Sequence, residues 1–106
     1  MDGWIRELLK GLKAGLVRLY GERLEGVYLY GSYARGEPTG ESDVDLLVVL
    51  GEIPDYSDEI ERTSELIASL ALRYDVSLSR VFVTRGDWER ASGPFLSTVR
   101  QDAVAA

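Results

Sequence analysis

The sequence predicts an α/β (α+β) fold: a small mixed sheet of three or more strands covered by helices. Three observations carry this expectation. Segments with helical apolar spacing alternate with short strand-like runs. One of those runs, Leu46 to Leu50, is apolar without a break, as in a strand buried on both faces. Turn signals separate the segments at short intervals. At 106 residues the chain has room for one domain, 1–106, and one real core.

Residues 2–20 read as an amphipathic helix. Ile5, Leu8, Leu9, Leu12, Leu16 and Leu19 recur at steps of three and four. Asp2 is placed to cap its start and Gly21 to stop it. Such a stripe serves either as a docking face for a partner or, more commonly, as the face that packs on the chain's own sheet. Val27 to Tyr30 reads as a strand ended by Gly31. The chain then turns through Gly36, with Ala34-Arg35 able to start a brief helix, and Pro38-Thr39-Gly40 marks a second turn. Ser42 to Leu50 is the second strand and the central one.

Asp55 or Ser57 caps a helix over 58–73 with Ile60, Leu66, Ile67 and Leu70 inside. Asp75 to Thr84 is a third strand. Thr84 and Asp87 have the spacing of a capping box for a final helix. That helix is interrupted at Ser92-Gly93-Pro94 and resumes from Phe95 to Asp102; Ala103 to Ala106 are expected to fray. A helix joins the second and third strands, which permits a parallel crossover but leaves the direction of each pairing open.

Composition narrows the chemistry. There is no Cys, hence no disulfide or thiolate metal site, and no His, hence no histidine base and no imidazole ligand. The net charge of −6, with no basic stripe, argues against binding a long nucleic acid. No apolar run is long enough for a membrane span, and the charged start does not resemble a signal peptide, so a cytoplasmic location is expected. Carboxylates, hydroxyls, Lys, Arg and backbone remain.

Two carboxylates stand out. Asp43 and Asp45 are two residues apart on a strand, so both point to one side with Cα atoms about 6.6 Å apart. Unpaired, they repel; with Mg²⁺ between them they stay ionised and coordinate it. A solvated strand end is the plain alternative. Gly31-Ser32, directly after a strand, lets backbone N–H groups approach a phosphate, and the Ser hydroxyl adds a donor. A helix opening there would also favour an anion. The glycines of Gly31-Ser32-Tyr33-Ala34-Arg35-Gly36-Glu37 have the spacing of a Walker A loop, but Glu37 stands where Lys is required, which excludes one. An EF-hand fails too, because Leu47 takes a ligand position and no glycine follows it.

The combination of Gly31-Ser32-Tyr33-Ala34-Arg35-Gly36-Glu37 with Ser42-Asp43-Val44-Asp45-Leu46-Leu47-Val48 resembles the DNA polymerase beta-like nucleotidyltransferase superfamily, in its minimal (MNT, MntA-like antitoxin) form. The likeness is strong over 26–50 and extends to the rest by order of elements. It implies a nucleotidyltransferase fold and the transfer of a nucleoside monophosphate from ATP, or another nucleoside triphosphate, to a hydroxyl. Gly31 and Ser32 match the phosphate-holding positions. Asp43 and Asp45 match the metal ligands for Mg²⁺. Asp75, between Tyr74 and Val76, matches the third carboxylate that helps bind a second ion and activates the acceptor. Two such ions about 3.5–4 Å apart would clamp the attacking and leaving oxygens. Arg35 is placed to touch the triphosphate, or else to pair with Glu37 or a nearby Asp. Tyr28, Tyr30 and Tyr33 read as packing residues.

Larger members carry a second domain for the acceptor, for which these 106 residues have no room. The missing surface would come from a partner or a homo-oligomer. Minimal members are often paired, as antitoxins, with a small helical HEPN toxin. The resemblance therefore implies AMP transfer to a toxin tyrosine. The alternatives are an antitoxin that neutralises by binding alone, and transfer to a small hydroxylated molecule.

Overall fold

A computed structural model describes residues 1–106. Helix α1 spans Gly3–Tyr20 and buries Ile5, Leu8, Leu9, Leu12 and Leu16, as the apolar spacing predicts. Leu19 departs from the expected stripe and is 42% exposed. In that last turn the buried place goes to Tyr20. Gly21, at φ 56°, ends the helix in a conformation that suits glycine, and a 3₁₀ turn over Gly21–Arg23 leads into the sheet.

The sheet has four strands in the order β3-β2-β1-β4. Strand β1 is Leu24–Tyr30, longer at its start than the apolar run suggests, and β2 is Val44–Leu50. They pair antiparallel, from Leu24 with Leu50 to Tyr30 with Asp45. Helix α2, Ser32–Arg35, lies between them. Strand β3, Leu78–Thr84, pairs parallel with β2, and α3, Tyr56–Tyr74, forms the crossover a parallel pair requires. The sheet is therefore mixed.

Three expectations are corrected. The second strand starts at Val44 rather than Ser42, because Thr39 and Ser42 close a turn on each other. The third strand starts at Leu78: Asp75 is the C-cap of α3, in a left-handed conformation at φ 51° that Asp tolerates better than most residues. The C-terminus is not frayed. Val104–Ala105 form β4, antiparallel to β1, and the Ala106 N–H donates to the Val27 carbonyl at 2.9 Å.

Strand alternation divides the core. Val27, Leu29, Val44, Leu46, Val48 and Leu50 pack with α1, α3 and Phe82 on one face. Leu47 and Val49 pack on the other against Leu96 and Val99 of α5, Gly93–Asp102. Leu46 to Leu50 are all buried, which confirms β2 as the central strand. Helix α4, Arg85–Arg90, starts at Thr84, whose hydroxyl accepts from the Asp87 N–H. The Asp55 carboxylate caps α3 by accepting from the Ser57 N–H at 3.0 Å.

At the end of the sheet away from the aspartates, α3 carries a buried carboxylate. Glu59 is 1% exposed. It accepts from the Tyr20 hydroxyl at 2.9 Å, from Arg23 at 2.6 Å and from Arg62 at 3.2 Å. Burial pushes the Glu59 carboxyl up, but these donors outweigh it and hold it below its usual value. The Tyr20 hydroxyl, buried and bonded to Glu59, is raised to about 12. Removing the acid strands two cations and a hydroxyl, so Glu59→Ala should cost on the order of 3 kcal/mol in urea unfolding. The unfolded chain takes up the Glu59 proton at a higher pH than the folded one. Wild-type stability should therefore fall with pH through the carboxylate range, and Glu59→Gln should flatten that fall.

Candidate functional site

The site forms where β1 ends beside the start of β2. Pairing Tyr30 with Asp45 brings Gly31, the next residue, against the Asp45 side chain. Gly31 has φ 77°, and a Cβ there would collide with the Asp45 carboxylate. Two constraints thus demand glycine: the backbone conformation and the close approach. Ser32–Arg35 then make one helical turn, which Gly36 closes at φ 73°. The first N–H groups of such a turn have no partner within it. The expected Gly-Ser turn and brief helix are both present.

Asp43 precedes β2 and is exposed; Asp45 is the second residue of the strand and is half-buried. The Val44 N–H donates to the Ser77 carbonyl at 2.9 Å, which pins the chain between the two acids to the start of β3. The two acids lie near enough for the Asp43 charge to act on Asp45. Neither takes part in an ion pair. Burial pushes the Asp45 carboxyl up, the Asp43 charge pushes it further, and Arg35 only partly offsets them. The Tyr30 hydroxyl is raised as well, first by burial and then by the Asp45 charge. Two adjoining carboxylates without a counter-cation, one of them destabilised as an anion, suit a bound divalent ion with oxygen ligands.

Arg35 is committed elsewhere. Its guanidinium donates to the Asp102 carboxylate at 2.9 Å and lies 3.8 Å from Glu37. Sequence reasoning allowed for Glu37 but missed Asp102, which no local pattern connects to residue 35. It also missed that the register sets Tyr30 beside Asp45, a contact that alternation along two strands makes legible once their pairing is known.

Asp75 is exposed at the end of α3 and lines the same groove as Asp43. On β3, the residue beside Asp45 is Ser79. No three Asp or Glu side chains converge closely enough to hold a metal ion together. The structure thus sets Gly31 against Asp45, with Ser32 next in the turn and the Asp43 charge acting on Asp45, while Asp75 lines the groove that Asp43 also lines.

Known proteins share this sequence pattern and fold. The profile of the family described as polymerase beta, nucleotidyltransferase matches residues 17–85. Protein adenylyltransferase MntA of Thermococcus cleftensis is 43% identical over 72 residues, which span 68% of this chain and 71% of that protein. A candidate nucleotidyltransferase of Sulfolobus solfataricus superposes with a TM-score of 0.60 at 25% identity, over 96% of this chain and 80% of its own. The same fold, at a TM-score of 0.55 and 19% identity, occurs in a complex of tri-AMPylated Shewanella oneidensis HEPN toxin with MNT antitoxin, over 94% of this chain and 69% of that one.

The repulsion between the acids has a measurable sign. A carboxyl raised in the folded state disfavours folding once it ionises. Asp43→Asn should therefore stabilise the metal-free protein at neutral pH by up to about 1 kcal/mol, after allowing for solvent screening. The gain should vanish in urea unfolding at acid pH, once the raised Asp45 carboxyl is protonated and carries no charge to repel. Gly31→Ala should lower stability at every pH, because its clash and its strained φ do not titrate.

Proposed function

The chain belongs to the polymerase beta nucleotidyltransferase family and is a nucleotidyltransferase, and from that premise we propose that it transfers AMP from ATP to a tyrosine hydroxyl of a small helical HEPN toxin, for which it is the antitoxin. The observation that carries this reading is the contact of Gly31 with Asp45. It sets a phosphate-accepting turn against an unpaired acid pair. The relative named protein adenylyltransferase and the AMPylated-toxin complex support AMP as the group moved and a HEPN protein as its acceptor.

Each residue then has a role. Backbone N–H groups of the Gly31-Ser32 turn, and the Ser32 hydroxyl, hold the β- and γ-phosphates. Asp43 and Asp45 hold Mg²⁺, which when bound neutralises charge on the triphosphate. Arg35 reaches the phosphates by exchanging its bond to Asp102 for one to substrate. The proposed role of Asp75, which lines the same groove as Asp43, is to orient the acceptor and take its proton. A second ion would need substrate oxygens as well as Asp43 and Asp75, since the protein alone presents no three-acid cluster. In the reaction the acceptor oxygen bonds to the α-phosphorus. The bond from that phosphorus to the bridging oxygen breaks, pyrophosphate leaves, and the hydroxyl proton passes to a carboxylate. The cytoplasm, which supplies ATP, is the proposed location; no helix is long and apolar enough to cross a membrane.

The lack of a three-acid cluster favours one other reading, an antitoxin that neutralises by binding alone. Labelled ATP, Mg²⁺ and the partner toxin separate the two. Transfer predicts label on the toxin, lost when its acceptor tyrosine becomes phenylalanine and reduced at least about 10²-fold in Asp43→Asn or Asp45→Asn. Neutralisation without label, unchanged in those variants, would show binding alone.

A further inference from the structure

We propose that the groove between the start of β3, the end of α3 and the first turn of α1 receives the acceptor, as an exposed tyrosine flanked by basic residues of the partner protein. This rests on the transfer reading above and adds where the partner docks and what it presents.

Position argues first. Strand β2 lies between β1, which ends in the Gly31-Ser32 turn, and β3, whose start borders the groove. A displacement in line at phosphorus needs the leaving and attacking oxygens on opposite sides. With pyrophosphate held on the β1 side, the acceptor approaches from the β3 side, and Asp43 opens onto the groove there.

The walls argue second. Trp4 meets Tyr33 edge to face at 5.7 Å and lies 6.5 Å from Tyr74. These half-buried rings give flat apolar walls suited to a phenol ring. Leu72 lines the same groove and is 85% exposed, the most exposed of the chain's large apolar residues. Beside Trp4 and Tyr74 it makes the apolar wall continuous from half-buried rings to solvent. The volume, about 680 Å³, holds a tyrosine and its flanking residues.

Charge argues third. The charged residues of the groove are Glu41, Asp43 and Asp75, and no Lys or Arg lines it. With Asp43 matched by its ion and Arg73 over the Tyr74 ring at 5.7 Å, Glu41 and Asp75 are the acids left to favour a basic flank on the incoming segment.

The test uses the full chain and two probe peptides, Lys-Lys-Tyr-Lys-Lys and the same peptide with Ala for Tyr, followed by the Trp4 indole and Leu72 methyl NMR signals. The tyrosine peptide should shift both saturably and the alanine peptide should not. Leu72→Lys, at a site too exposed to carry the fold, should weaken peptide binding about tenfold. In the transfer assay it should raise the KM for the partner by a similar factor and leave that for MgATP unchanged. No shift with either peptide, equal shifts with both, or a Leu72→Lys variant that matches wild type would overturn the proposal. Peptide binding needs no AMP transfer. A wild type that binds the peptide but labels nothing refutes the activity and not the groove, whereas labelling indifferent to Leu72→Lys refutes the groove alone.

Discussion

The approach of Gly31 to the Asp45 carboxylate is possible only because β1 and β2 pair with Tyr30 opposite Asp45. A slip of one residue would send Asp45 to the face where Val44 and Leu46 are fully buried. The core therefore enforces the register, and the register delivers the site. Leu46, Val48 and Leu50 fill one face while Leu47 and Val49 fill the other, so β2 has no freedom to shift. The two acids at its start inherit a fixed position from five buried residues that do no chemistry. Their mutual repulsion is tolerated because the strand behind them is held so firmly.

What the sequence made legible was periodic or chemically unusual. The apolar spacing of α1, the buried run of β2 and the Asp55 cap each have a local physical signal, and each is found in the structure. Asp43, Asp45, Gly31 and Ser32 were conspicuous because acids at the head of a buried strand and a glycine turn after another strand both need a reason. Other features depend on distant partners. Val104–Ala105 lack the length or side chains of a strand and become one only by pairing with β1. Glu59 looks like an ordinary surface acid of a polar helix face; it is buried because Tyr20, Arg23 and Arg62 converge on it. Asp75 sits in an apolar–acid–apolar pattern that suggests a strand, but α3 runs on to Tyr74 and takes Asp75 as its cap.

The two charged ends of the sheet show opposite solutions to the same problem. Glu59 is buried and satisfied by three donors, and it contributes to stability. Asp45 is half-buried, faces Asp43, and has no ion-paired partner. Stability would be served by a cation from the protein, and the nearest candidate by its effect, Arg35, is turned toward Asp102. That contrast, an uncompensated pair at one end and a satisfied acid at the other, is what supports the proposed binding of a cation that arrives with substrate.

The central claim is that Asp43, Asp45 and the Gly31 turn form a triphosphate site completed by a divalent ion. Calorimetric titration of ATP into the protein, with Mg²⁺ and with a chelator, tests it most directly. Saturable binding that needs Mg²⁺ and is lost in Asp45→Asn is the predicted result. Binding of equal strength with the chelator, or no binding of wild type in either condition, would contradict it.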